Sequence, residues 1–330
     1  MASQLIKNIL KEHSNENGLP VFNPEQWSNF KQNFSVGDGK HAFAEYIVEN
    51  NIPFPLQNIT KQDVVSKFNK LKSFEIAKLL TTPTTTPTDK FNDYEYSVQE
   101  YCKTVIELGH YYNDISNYFH QTNRLSCNGY NISGPLIIWK DQEKLVKFNW
   151  TFWREGIVKF ISEGKYREAF RLGAYVATQF KPKVAKYMYD RFNAKTILDS
   201  SCGWGDRLAG FYTSNAEIYV GCDPNPVVWE TYIEQCMFYE KILGSSPKLT
   251  RRENYFIVKG YKEVIIFCEG SEHVVWPYLD YDLAFTSPPY LGHEQYGDEP
   301  EQSYNKFQIQ DEWRNGFLLK TIQNAYRGLK

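Results

Sequence analysis

Thr196-Ile-Leu-Asp-Ser-Ser-Cys-Gly-Trp-Gly-Asp-Arg-Leu-Ala-Gly210 is the stretch that decides the fold. Its apolar opening is short enough to be a buried strand. Gly203 and Gly205 then permit a tight turn and let a ligand approach the backbone. The residues that follow read as a helix. Strand, glycine turn and helix, in that order, open dinucleotide-binding folds. Further on, Glu217-Ile-Tyr-Val-Gly-Cys-Asp223 is a second strand ending in an acid, 18 residues after Gly205. A carboxylate there suits a ribose diol, because its two oxygens match two adjacent hydroxyls. The loop spells D-x-x-x-G-x-G rather than G-x-G-x-x-G, with Asp199 at the strand end.

Strand and helix alternate across the second half, which predicts a parallel sheet. Strands are expected at 195–200, 217–222, 263–268 and 281–286. Helices are expected at 182–192, 204–212, 225–240 and 310–328. In the last helix Leu318, Leu319, Ile322, Ala325, Tyr326 and Leu329 form one apolar face.

The strand at 281–286 runs into Ser287-Pro288-Pro289-Tyr290. Two consecutive prolines have no N–H to donate, so the chain must leave the sheet in a stiff, extended turn. Such a turn presents backbone carbonyls and a flat ring to a planar amine. Chemistry on the exocyclic amino group of a base needs both. The plainer alternative is a proline-terminated strand followed by a core tyrosine.

Together these residues resemble the S-adenosylmethionine-dependent amino-methyltransferases. That family carries D-x-x-x-G-x-G as its cofactor loop and (D/N/S)-P-P-(Y/F) as its catalytic loop. Here the two stand as Asp199–Gly205 and Ser287–Tyr290. Thr178-Gln-Phe-Lys-Pro-Lys-Val-Ala-Lys186 is similar to the family's Phe-x-Pro segment, and Val264-Ile-Ile-Phe-Cys-Glu-Gly-Ser-Glu272 to its third strand and adenine-flanking loop. The resemblance covers residues 175–330 and implies an α/β, Rossmann-like parallel methyltransferase sheet. S-adenosylmethionine is the implied cofactor. Ser201, Cys202, Gly203 and Gly205 would approach its methionine part and ribose. Asp199 would order the loop, and Asp223 would bind the ribose. Pro224 would pack on adenine, Ser271 or Glu272 would accept from the adenine amine, and Phe180 with Thr178 would cover the methionine end. Ser287, Pro288, Pro289 and Tyr290 would be catalytic. Ser at the first position is the form seen more often with N4-cytosine than with N6-adenine enzymes, so N4-cytosine is expected ahead of N6-adenine, and DNA is the expected substrate ahead of RNA. An RNA or tRNA amino-methyltransferase and a non-catalytic, methyltransferase-like subunit are the alternatives.

The sequence departs from the family at its end. The family's fifth strand follows the helix after the Pro-Pro loop, and this sequence ends at Gly328-Leu329-Lys330. The C-terminal strands are therefore expected to be missing, leaving strand 281–286 with an open apolar edge. Self-association, or a second polypeptide carrying the absent strands, is expected to follow.

The remainder divides into a helical region at 1–80, a Thr/Pro linker at 81–88 and an α+β region at 89–174. Within these, Lys61–Leu80 and Tyr94–Phe119 have helical spacing. Pro135–Trp139 and Lys144–Trp150 read as two strands of a hairpin, and Thr151–Ala177 as helix. The 330 residues carry a net charge of −2, so no global basic field announces a nucleic acid. Residues 140–195 are locally basic, with thirteen Lys/Arg against six Asp/Glu, and such a flank could track phosphates. The six cysteines show no metal-ligand spacing, and no metal is expected. Reduced thiols, no signal core and no membrane-spanning stretch point to the cytoplasm.

Overall fold

The computed structural model describes residues 2–75, 109–148, 150–153, 158–277, 280–292 and 294–330. The linker at 81–88 and the start of the helix expected at 94–119 lie outside the described residues. The chain is mixed α and β, mainly helical in its N-terminal part. No helix among the described residues is long and apolar enough to cross a membrane. Two compact units form. The first comprises Met1–Asn58, Gln121–Thr178 and Tyr290–Asp298; the second comprises Ile59–His120, Gln179–Pro289 and Glu299–Lys330. The described strands are β1 (Asn128–Gly129), β2 (Thr196–Asp199), β3 (Ile218–Cys222), β4 (Lys248–Arg251), β5 (Tyr255–Lys259), β6 (Glu263–Phe267), β7 (Leu283–Ala284) and β8 (Glu294–Gln295).

The first unit is built on aromatic packing. Trp27 stacks on Phe30 at 5.5 Å and meets Trp153 at 5.2 Å, while Phe148 stacks on Phe170 at 4.0 Å. Such pairs add about 0.5–1.5 kcal/mol each beyond area burial. Its helices start where local chemistry dictates. Asn23 Oδ1 accepts from Gln26 N at 2.9 Å and Gln26 Oε1 accepts from Asn23 N at 2.8 Å, a reciprocal box before Pro24–Asn33. β1 and β8 pair antiparallel, with Gly129 opposite Glu294.

The hairpin expected at 135–150 is instead two helices, Pro135–Lys140 and Gln142–Phe148. Proline occupies the first helical turn, where its missing N–H costs nothing. Asp141 accepts from Lys144 N at 3.0 Å and caps the second helix. Ile138, Trp139, Leu145 and Phe148 are buried. Their β-branched and aromatic character suggested strands, but capping and spacing favour helix.

The second unit holds a six-stranded sheet in the order β4-β5-β6-β3-β2-β7. β6, β3, β2 and β7 are parallel, at the positions expected from their apolar runs. The sheet is not wholly parallel, because β4 and β5 add an antiparallel hairpin beside β6. β4 is a mostly exposed edge strand with charged ends, a device that discourages further pairing.

At the opposite edge, only Leu283 and Ala284 of the expected strand 281–286 form a ladder with β2. Asp282 Oδ2 accepts instead from the N–H groups of Lys195 (2.8 Å) and Thr196 (2.9 Å). The outer side is partly occupied, since Tyr281 N donates to Gly328 O at 2.8 Å and Lys330 N donates to Tyr281 O at 3.1 Å. The helix expected at 310–328 forms as a continuous run over 310–327, in which a wide π turn at Arg314–Leu318 joins Gln310–Trp313 to Leu319–Arg327. Its apolar residues do not share one buried face. Ala325 and Leu329 pack on the sheet core, whereas Leu319, Ile322 and Tyr326 are exposed.

Lys262 closes the end of helix Asp206–Thr213. Its Nζ donates to the carbonyls of Phe211 (2.8 Å), Ser214 (2.8 Å) and Ala216 (2.7 Å) in a buried setting. Burial lowers the Lys262 pKa to about 7, so the ammonium is only partly charged near neutrality, and the three carbonyls at the helix C-terminus favour the charge it keeps. Lys262→Met leaves those carbonyls unsatisfied, and urea unfolding should show a loss of at least about 1–3 kcal/mol. An unchanged midpoint would mean that water satisfies them equally well.

Candidate functional site

The parallel strands share one carboxyl edge, and the strand order reverses between β2 and β7. β3 and β6 lie on one side of β2 and β7 lies on the other. In open α/β sheets such a reversal opens a crevice beyond the strand ends. Asp199, the turn at 200–205, Asp223 and Ser287–Pro289 all follow those ends. Phe285 N donates to Leu198 O at 2.9 Å, so the Ser-Pro-Pro turn leaves the sheet beside the glycine turn.

Asp199 is fully buried, and its partners explain why the loop has one shape. Oδ2 accepts from Arg207 Nε at 2.7 Å and from the Tyr219 hydroxyl, while Oδ1 accepts from Ser201 N at 3.2 Å. Arg207 also donates to Ser201 O. Burial alone would lower the Arg207 pKa, but the adjacent Asp199 carboxylate outweighs it and holds the guanidinium above its ordinary value. Asp199 therefore orders the loop.

Both glycines of the turn are left-handed, at φ 62° for Gly203 and 69° for Gly205. A side chain at Gly205 would also stand 2.2 Å from Gln235 Oε1. Cys202 is buried under the turn, its N–H donating to Cys222 O at 3.0 Å. Burial pushes its thiol well up, followed by the influence of Asp199, so it acts as packing and not as a nucleophile.

Asp223 stands half-buried at the end of β3. Oδ2 accepts from Gly203 N at 3.2 Å, and Oδ1 accepts from Asn225 N at 3.0 Å. The single Tyr232 O–H is shared between two acceptors, Gly203 O and Asp223 Oδ2, the latter at 3.2 Å. Burial raises the Asp223 pKa to about 6 against the pull of these donors. Oδ1 retains acceptor capacity beyond its one bond, while Oδ2 already receives two donors.

The other expected residues are distributed around this centre. The Phe180 ring lies 5.4 Å from the Arg207 guanidinium carbon and edge-on to Phe285 at 5.6 Å. Pro224 is half-buried beside Asp223, and Thr178 is exposed in the first unit. Ser271 Oγ pairs with Thr321 Oγ1 at 2.7 Å, and Glu272 Oε1 pairs with Lys306 Nζ at 3.1 Å. These two residues fasten C-terminal segments of the second unit, and Glu272 Oε2 is buried without a hydrogen-bond partner. Ser287, Pro288 and Pro289 are half-buried in the second unit, and Tyr290 is 57% exposed in the first.

Sequence reasoning passed over Arg207, Tyr219 and Tyr232. Arg207 had one usable signal, since a cation in the first turn of a helix opposes the dipole and calls for another cause. The tyrosines had none. Among the described residues no group of His, Cys, Asp and Glu gathers as a metal site. Comparison of the chain with protein-family models, curated proteins and solved structures finds no match. Gly205→Ala should destabilise the second unit by at least about 2 kcal/mol, combining left-handed strain with displacement of Gln235. A smaller loss in thermal unfolding would mean that the turn relaxes to accept the methyl group.

Proposed function

We propose that the second unit binds S-adenosylmethionine at the carboxyl edge of its sheet and methylates an exocyclic amino group of a base in DNA, N4 of cytosine ahead of N6 of adenine. On this reading the sheet is a Rossmann-like methyltransferase sheet, with β6-β3-β2-β7 as the cofactor-binding part. One observation supports it above the others. A glycine turn, a strand-end acid and a Ser-Pro-Pro turn, the last beginning 82 residues after Gly205, follow the carboxyl ends of three neighbouring parallel strands, β2, β3 and β7, around the point where the strand order reverses.

The residues fit the cofactor. Oδ1 of the half-buried Asp223 has acceptor capacity left for one ribose hydroxyl, a second would replace the shared Tyr232 O–H at Oδ2, and the glycines let the turn approach the ligand closely. Asp199 is neutralised by Arg207, which leaves it the task of shaping the loop. Phe180 covers the methionine end and Pro224 the adenine. Ser271 and Glu272 already bond to Thr321 and Lys306, which makes them the weaker adenine contacts. When bound, the cofactor supplies an activated methyl group on a sulfonium centre.

An exocyclic amine is a poor nucleophile because its lone pair is conjugated with the ring. Ser287 Oγ and the Pro288 carbonyl would accept its N–H bonds and favour a pyramidal nitrogen. Placement and electrostatics then lower the barrier. A base in duplex DNA must flip out to be methylated, and Tyr290 supplies a ring for it to stack on. A second polypeptide that pairs beside β7 and covers the exposed Leu319, Ile322 and Tyr326 is the proposed protein partner.

The direct test is incubation with methyl-labelled S-adenosylmethionine and DNA or RNA, followed by nucleoside analysis. Label on cytosine N4 or adenine N6 of DNA is expected. Label in RNA alone would move the substrate, and cofactor binding without transfer to either would mark a non-catalytic subunit. Tyr290→Ala should reduce transfer by about 1–3 kcal/mol, the value of one stacked base, with cofactor affinity unchanged; full activity would reduce the tyrosine to packing.

Cofactor affinity should also follow Asp223. Its folded pKa of about 6 lies above the ordinary 3.8, so lowering the pH through 6 protonates it. Accepting two hydroxyls requires the ionised form. Calorimetry should therefore show affinity falling below pH 6, by up to about tenfold per pH unit. Asp223→Asn should flatten that dependence and weaken binding at pH 7.5 by about 1–3 kcal/mol. A pH-independent wild type would remove the ribose assignment.

A further inference from the structure

Helix Pro226–Ile242 presents Tyr232 and Gln235 three residues apart, on one face. Both reach the glycine turn. The Tyr232 hydroxyl donates to Gly203 O, and Gln235 Nε2 donates to Gly205 O at 2.9 Å. Both glycines are left-handed, so the turn is held at its two least restricted points.

The orientation of Gln235 follows from its neighbours. The Tyr239 hydroxyl donates to Ile115 O at 2.8 Å and therefore accepts from Gln235 Nε2 at 3.0 Å. This leaves Gln235 Oε1 facing His120 Nε2 at 2.9 Å. An amide oxygen only accepts, so the proton of the neutral imidazole sits on Nε2. Nδ1 then carries a lone pair, and it is buried without a hydrogen-bond partner. The opposite tautomer would bury an unpaired N–H and set two acceptors face to face. Burial lowers the His120 pKa to about 4, against the opposing bond to Gln235, and this keeps the ring neutral near pH 7.

We propose that Tyr232 and Gln235 are positioning residues of the cofactor loop, each fixing one glycine peptide, and that His120 orients Gln235. This rests on reading the turn as a cofactor site. A peptide is planar, so fixing its carbonyl fixes the direction of its N–H. The clamp thus sets the peptide planes 203–204 and 205–206 before any ligand arrives, removing part of the ordering cost of binding. Tyr232 has a second effect, because the same O–H is shared with Asp223 Oδ2 at 3.2 Å and so favours the ionised carboxylate. The titratable groups around Asp223 are Asp199, Tyr232 and the thiols of Cys202, Cys222 and Cys268.

Tyr232→Phe keeps the ring beside His120 and removes only the hydroxyl. Two measurements on the full chain test it: calorimetry with S-adenosylhomocysteine, and a carboxyl NMR titration of Asp223. About tenfold weaker binding is expected, together with an Asp223 midpoint moved above its wild-type value, since a donor to the ionised form has been lost. A change in packing alone would not move that midpoint upward in a protein of wild-type fold. His120→Gln, which restores an amide N–H toward Gln235, should retain affinity, whereas His120→Leu should lose it. Unchanged binding and an unchanged Asp223 titration in Tyr232→Phe would overturn the proposal. Wild-type protein that binds no cofactor, with the Asp223 shift still present in Tyr232→Phe, would remove the functional reading and leave the clamp standing.

Discussion

A carboxylate without access to water stands at the end of β2, and its surroundings are arranged to keep it paired. Removing a charge from water costs several kcal/mol unless its oxygens find donors. Asp199 finds them in three places: Ser201 N from the turn, Arg207 from the following helix, and the Tyr219 hydroxyl from β3. One buried charge thereby ties together the strand, the turn, the helix and the neighbouring strand. Arg207 sits in the first turn of a helix despite the unfavourable dipole because the pairing outweighs it. The same residue donates to Ser201 O and lies against Phe180, so the loop inherits its shape from the demand of Asp199.

Tyrosine performs related work elsewhere. The 24 tyrosines include several that are fully buried, and their hydroxyls reach carbonyls far away in sequence. Tyr166 donates to Pro20 O and Tyr239 to Ile115 O, both at 2.8 Å. A phenol fills core volume as phenylalanine does and adds one directional bond. High aromatic content here therefore means more than hydrophobic bulk.

The strands that carry the site were legible because they are central and parallel. β2, β3 and β6 are buried on both faces, so their sequences are continuous apolar runs. The glycine turn and the acid after β3 were legible because each answers a local backbone or end-of-strand requirement. β4 was not, since Lys248-Leu-Thr-Arg251 is an exposed edge with no apolar run to betray it. Residues 135–150 misled because their composition favours strand while Pro135 and Asp141 enforce helix starts. The last helix was legible as a helix, but its apolar period misled about burial, since Leu319, Ile322 and Tyr326 stay exposed. Around the site, Tyr232, Gln235 and His120 act only through tertiary contacts. His120 and Gln235 are 115 positions apart, a separation that no local pattern encodes.

The composition of the first unit carries a consequence for how the protein is made. That unit contains the N-terminus, yet it also includes Tyr290–Asp298. Among the described residues β1 pairs with β8 alone, and Glu294 receives the hydroxyls of both Tyr175 and Tyr296. On a ribosome, which extends the chain at about 5–20 residues per second, residues 1–58 and 121–178 emerge long before their last segment does. The first unit must wait, incompletely paired, while nearly the whole of the second is synthesised. The two units therefore complete their folding close together, the first once Tyr290–Asp298 is made and the second once Glu299–Lys330 follows it.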